Sequence, residues 1–422
     1  MHATPLRELC DLHQDASEAS WDMAGIAFKR FRLTDKWSIL VLALVSFGLH
    51  LGAITYFPYF IFDELIYGPE AVRLLAGGTA SNPHLSLGKL FIEAGIYFFG
   101  FGPWGWRLFT VIFGTAGMVF FYLICRRLGG QRVALLASFL LLFENLTFVH
   151  SSLGMLDIFS ITFMLLSFLL YLQNRHALSG VSLALGGLCK ITGLLGGLVI
   201  LTHWLCTSRT RRGALGGVLR FSASVFVAFF LLMPVTDFLA TGEWVEPFHR
   251  FYYSSIEHSN LGMSGFTTSH SHLGLSYSWE WILKPIQATY LPPPSYFMGI
   301  ITPTIWVLII PSMAYMYYEW RKNRSGLAVF SLLWFAGTFL LWIPYQLVTD
   351  KVSYLYYFLP TVGAVCMAIG FGLHRVLGIA AEAKDTVFGW LLRAGVFLYL
   401  ALHMACFFLF SPLIAVVFPQ VG

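Results

Sequence analysis

The chain has 422 residues, of which 57% are hydrophobic and only 11% charged, with a formal net charge of +5. Soluble domains carry about 25% charged residues, so this composition excludes an ordinary soluble protein. The basic residues fall in short segments between apolar runs rather than in one patch, which gives no nucleic-acid footprint and predicts no nucleic-acid partner.

Runs of about 20 apolar residues recur along the chain, each long enough to cross a hydrocarbon core about 30 Å thick. The short alternating segments of a β-barrel are not the pattern here. The first 36 residues are polar and of mixed charge, and are expected to form a cytoplasmic tail. The apolar run that follows is too long for the core of a signal peptide. Eleven spans are predicted, roughly over 37–59, 106–125, 133–149, 157–173, 177–189, 191–206, 217–238, 297–318, 327–343, 353–374 and 388–411. The pair near 177–206 is short and glycine-rich, and fits one re-entrant unit equally well. The expected fold is an all-α polytopic membrane protein, with residues 37–418 forming a single transmembrane domain.

With the N-terminus in the cytoplasm, nineteen of the 26 Lys and Arg residues fall on the cytoplasmic side, as the positive-inside rule requires. Clusters such as "TSRTRRG" are explained by topology alone. Two long connections, about 60–105 and 240–296, fall on the outer side, where long loops usually carry function. The second holds His249, His258, His270 and His272, and its "WVEPFHRFYYSSIEH" fits an amphipathic interfacial helix. The six cysteines show no CxxC spacing, so neither a disulfide nor a zinc site is expected.

Three groups of residues bear on chemistry. In "YFPYFIFDELIYG" two acids, Asp63 and Glu64, follow the first span. They fit either an acidic helix N-terminus or a general base facing a cleft. Lys89, Arg107 and Lys190 lie within or beside apolar runs, where a cation costs a few kcal/mol unless paired or solvated. They either snorkel to the interface or converge on an anion such as a membrane-surface phosphate. Glu144 and His150 read as interhelical pairing partners, and Asp157 as a helix cap or a site residue.

The segments "FDE", "NPHLSLGKL", "WRLFTVIFGT", "LLFENLTFVHSSLGMLDIF", "GLCKITGL", "WEWILKPI" and "YLYYFLP" occur in that order. The set resembles the protein O-mannosyltransferase family, over about residues 37 to 376. The resemblance implies a type C glycosyltransferase fold that moves mannose from a polyprenyl- or dolichyl-phosphate carrier to Ser/Thr hydroxyls of proteins, with inversion. It implies Asp63 as the catalytic residue with Glu64 beside it, and Arg107, Lys190, His270 and Lys284 around the donor phosphate. His84, Lys89, Asp157 and Tyr357 follow as substrate-binding positions. Departures from the family pattern are visible: Leu85 and Ser86 replace two prolines, Lys284 stands for an arginine and Tyr357 for a histidine. No cofactor and no metal are expected. The outer loops offer few acids for a hard cation, which wants about six oxygens, and the histidine spacing matches no common zinc pattern. Without a soluble insert, a prokaryotic plasma membrane is expected over the endoplasmic reticulum. Two rivals remain open: the same fold serving a lipid or cell-wall glycan acceptor, and a secondary transporter. The transporter reading lacks an inverted repeat and broken polar helices at the midplane.

Overall fold

The computed structural model describes residues 33–79, 83–207, 211–261, 275–291, 297–411 and 413. Among them, six helices are long and apolar enough to cross a membrane: Asp35–Ile54, Pro103–Leu142, Leu215–Thr241, Gly326–Thr349, Leu355–Glu382 and Val387–Phe410. Asn145–Ser152 and Leu156–Leu172, bent by 111° across a short break, make a seventh if taken as one span. The chain is a multi-pass integral membrane protein.

The expected eleven spans are thus met by fewer full-length apolar helices, and the reasons are local. Pro103–Leu142 runs 40 residues, about 60 Å at helical rise and twice a hydrocarbon core. It is broken at Gly130, whose φ of 84° only glycine adopts cheaply; the break lies between the predicted spans 106–125 and 133–149. The second of these ends early, because Glu144 turns extended and its carboxylate accepts from the N–H groups of Leu146 and Thr147 to start a new helix. The predicted span 297–318 opens instead as a strand, Phe297–Ile300, paired antiparallel with Gln287–Leu291. Helix resumes only at Pro303, the first residue of a short turn before Ile309–Asn323. The predicted span 353–374 likewise starts as a strand, with Ser353 and Tyr354 pairing with Ser276 and Leu275. Two small β-ribbons therefore qualify the all-α expectation.

Pro103–Leu142 is the central element, flanked by Leu33–Ile54, Leu156–Leu172 and Leu359–Glu382. The last of these approaches closely at Gly370, where a Cβ would stand 2.7 Å from the backbone nitrogen of Ala137; small residues serve this purpose in membrane bundles. The first long loop folds as two helices, Glu64–Leu75 and Leu87–Phe99. The expected helix in the second loop is present as Pro247–Leu261. Arg250 on it donates to Asp237 at 2.9 Å and to the carbonyls of Pro83 and His84, while Ser86 also donates to Asp237. This clasp joins the two loops to the helix Arg211–Thr241 and fixes the segment leading to Lys89.

Candidate active site

Asp63 is presented by a strained turn. Phe62 has a φ of 53°, a left-handed conformation that costs a bulky side chain on the order of 1–3 kcal/mol. Its ring is held by Tyr290 at 4.3 Å and meets Tyr354 and Tyr356 edge-on. Asp63 then occupies the N-cap position of Glu64–Leu75, but its carboxylate caps no backbone N–H. The residue is half-buried; its main-chain carbonyl accepts from Ile66 and Tyr67, while its carboxylate makes no hydrogen bond among the described residues. The hydroxyls of Tyr67, Tyr290, Tyr354, Tyr356 and Tyr357 lie within reach of its charge. Burial pushes the Asp63 carboxyl up to about 6; the Lys190 charge opposes that rise and the Asp157 charge adds to it.

Glu64, the adjacent acid, is differently placed. Arg107 Nε and Nη2 each donate to it at 2.7 Å. The two Nη1 protons go to the carbonyls of Ile54 and Phe57 at 2.9 and 2.8 Å, and Nη2 also reaches the Tyr59 carbonyl at 3.0 Å. A guanidinium has five N–H groups, so Arg107 is fully occupied. Glu64 also accepts from the backbone of Ile61 at 3.1 Å and Gly154 at 2.6 Å. The pair is buried to 0% and 1% exposure and stitches the unwound end of the first span, whose last carbonyls lack helical partners, to the start of Pro103–Leu142. The expectation that Arg107 holds a phosphate meets a side chain already saturated within the protein.

Lys190 and Asp157 form the second half of the site. Lys190 ends the helix His176–Cys189 in an extended conformation, before the short 3-10 turn Ile191–Leu194. Asp157 sits in the first turn of Leu156–Leu172. Lys190 Nζ donates to Asp157 Oδ1 at 2.7 Å and lies over the rings of Tyr356 and Tyr357 at 4.7 and 5.3 Å. His150 Nδ1 stands 3.7 Å from the other Asp157 oxygen, and its Nε2 is 2.7 Å from the Tyr290 hydroxyl. Lys190, Asp157, His150 and Tyr290 thus form a buried polar chain ending against Phe62.

The remaining sequence candidates are distributed around this centre. His84 is buried edge-on to Tyr67, one helical turn from Asp63. Lys89 is buried and ion-paired with Glu70 at 3.3 Å. Tyr357 lies beneath the Lys190 ammonium. Lys284 is largely exposed and paired with Glu280, with no contact to Asp63, Asp157 or Lys190 among the described residues. His270 lies outside the described residues. Sequence reasoning missed Tyr67, Tyr290, Tyr354 and Tyr356 as site residues; the aromatic run "YLYYFLP" was the available signal for the last two. Glu144 proves structural, capping its helix and accepting from Thr302 N at 3.2 Å.

A family model described as dolichyl-phosphate-mannose-protein mannosyltransferase matches residues 84–237. A polyprenol-phosphate-mannose–protein mannosyltransferase of Corynebacterium glutamicum is 26% identical, over 92% of this chain and 91% of its own. One from Mycolicibacterium smegmatis is 30% identical over a shorter stretch, 32% of this chain and 28% of that one. Among solved structures, the S. cerevisiae protein O-mannosyltransferase Pmt1–Pmt2 complex bound to the sugar donor superposes with a TM-score of 0.74 at 12% identity, covering 93% of this chain and 92% of the other. ArnT from Cupriavidus metallidurans bound to undecaprenyl phosphate gives 0.57 at 16% identity, over 91% and 77%. The chain is thus similar in sequence to protein mannosyltransferases over most of its length, and it has the type C glycosyltransferase fold.

Proposed function

We propose that the protein transfers mannose from a polyprenyl-phosphate carrier to Ser/Thr hydroxyls of proteins, with inversion at the anomeric carbon. The observation that carries this reading is a half-buried, uncapped Asp63 lying within electrostatic reach of a buried ammonium, Lys190, that is itself held by Asp157. Asp63 is the base. It takes the proton of the acceptor hydroxyl as the new C1–O bond forms and the C1–O bond to phosphate breaks; the polyprenyl phosphate leaves with the bonding electrons. A phosphate leaving group needs its charge stabilised rather than a proton supplied, which calls for a fixed cation. Lys190, embedded between Asp157 and two tyrosine rings, suits that task; Lys89 and Lys284, each paired with a glutamate, are secondary candidates.

Glu64 and Arg107 act as positioning residues in this reading, because their hydrogen-bonding capacity is spent within the protein. They hold the turn on which Asp63 stands. The site belongs on the extracytoplasmic face, where a lipid-borne donor meets a water-borne acceptor, with the N-terminus in the cytoplasm. A bacterial plasma membrane accords with the source of the curated relatives.

The test is incubation of the purified protein with polyprenyl-phosphate-mannose and a Ser/Thr-rich peptide, followed by mass spectrometry. A hexose added to the peptide supports the reading. Transfer only to a lipid or glycan acceptor would keep the fold and donor and replace the acceptor. No transfer to any acceptor, with donor bound, would overturn the proposal.

A further inference from the structure

His150 Nδ1 and Asp157 Oδ2 are both buried and both lack a hydrogen bond, and they face each other at 3.7 Å. A charge-assisted hydrogen bond closes at about 2.7–2.9 Å, so the gap is roughly 1 Å too wide. A buried polar atom left unsatisfied costs about 1–3 kcal/mol, and two such atoms aimed at each other ask for a reason. The surroundings fix the direction of this contact. The Tyr290 hydroxyl lies 2.7 Å from Nε2, in space that exists because residue 299 is glycine; a Cβ there would stand 2.6 Å from that hydroxyl. A carboxylate only accepts, so the Asp157 oxygen facing Nδ1 favours the tautomer with the ring proton there, and Nε2 then accepts from the Tyr290 hydroxyl. The opposite oxygen of Asp157 is held by Lys190 at 2.7 Å.

We propose that His150 is a positioning residue that takes over Asp157 when Lys190 turns to the donor phosphate. The proposal rests on the reading of Lys190 as the phosphate-binding cation. Without donor, the ammonium is shared between Asp157 and the rings of Tyr356 and Tyr357. An arriving phosphate draws it away and would leave Asp157 as a buried, unpaired carboxylate, an arrangement that is strongly disfavoured. Closing the His150–Asp157 gap by about 1 Å makes the missing charge-assisted hydrogen bond. Tyr290 transmits the restraint to Phe62, whose ring it holds at 4.3 Å, and so to the turn that carries Asp63. His150 touches no reacting atom.

The experiment compares His150→Phe, His150→Asn and His150→Gln, with polyprenyl phosphate as the binding probe and turnover and thermal stability measured on the same samples. Asn keeps an N–H donor near the Nδ1 position; Gln keeps one near Nε2. The Phe variant is expected to bind polyprenyl phosphate about tenfold more weakly, the equivalent of one hydrogen bond to a charged group. The Asn variant should recover to within about threefold of wild type, and Gln should not. If the Phe variant fails to fold, the Asn–Gln comparison decides alone. Equal rescue by Gln, or wild-type binding in a folded Phe variant, overturns the takeover. Lys190→Gln serves as the separate control: wild-type binding by that variant removes the phosphate role of Lys190 itself, whereas lost binding there with unaffected His150 variants sinks only the takeover.

Discussion

Arg107 and Glu64, 43 residues apart in sequence, saturate each other: five guanidinium N–H groups meet two carboxylate oxygens and three main-chain carbonyls. Removing one partner strands the other as a buried charge, which costs about 3–5 kcal/mol. Glu64→Gln and Arg107→Gln are therefore expected to lower the unfolding temperature, with donor binding and turnover falling together as the folded fraction falls. Thermal unfolding in detergent beside a donor-binding assay checks this. An Arg107→Gln protein of normal stability that no longer bound donor would return Arg107 to the phosphate.

Asp63 gives a prediction with a pH signature. Asp63→Asn preserves size and removes basicity, and turnover should fall by at least about 10²-fold, the usual contribution of a positioned base. In the wild type the carboxyl is pushed up to about 6. Below that pH the base is protonated, so kcat/KM should fall about tenfold per pH unit on the acid side and be flat above it. An unshifted aspartate would place the limb near pH 4. A pH profile of kcat/KM distinguishes the two positions, and near-normal turnover in the Asn variant would remove Asp63 from the mechanism.

How much of this was legible in the sequence depends on whether the signal was chemical or geometric. Lys89, Arg107 and Lys190 stood out because a cation beside an apolar run must be paired or used, and the structure pairs each of them with an acid, Lys190 with the Asp157 that the sequence read equally well as a helix cap; Asp63 stood out by its place after the first span. The Glu64–Arg107 closure was not legible. It depends on the first span unwinding after Ile54, so that the carbonyls of Phe57 and Tyr59 turn inward, and no local pattern announces that. Tyr290 was hidden for another reason. It lies on a short strand whose partner, Phe297–Ile300, sits inside an apolar stretch, and a short apolar run does not separate strand from helix by periodicity. The break at Gly130 was marked only by the Gly-Gly pair and the flanking arginines, which is why span positions were readable there while helix lengths were not.

Lys190→Gln should weaken binding of the donor and of polyprenyl phosphate, because it removes a cation that is already desolvated. It should also move the acid limb. Lys190 holds the Asp63 carboxyl down against the effect of burial; without that charge the carboxyl rises further, so residual activity should need a higher pH than in the wild type. Isothermal titration with polyprenyl phosphate and a pH profile of the variant give the two readouts. Undiminished binding together with an unmoved limb would leave Lys190 as a structural partner of Asp157 alone.

Transfer is expected to need no divalent metal. Asp157, whose charge acts on Asp63, has its Oδ1 taken by the Lys190 ammonium at 2.7 Å. Glu64, adjacent in sequence to Asp63, has both oxygens committed to Arg107, Ile61 and Gly154. Hard cations want about six oxygen ligands, and among the described residues no group of three acids, histidines or cysteines is arranged to hold an ion. The charge that a metal would bring to the leaving phosphate is carried here by Lys190. Activity measured after exhaustive dialysis against EDTA should therefore match the untreated enzyme, and added Mg²⁺ or Mn²⁺ should leave it unchanged. Abolition by EDTA with restoration by either ion would recast Asp63 and Asp157 as metal ligands and move Lys190 off Asp157 in the working enzyme.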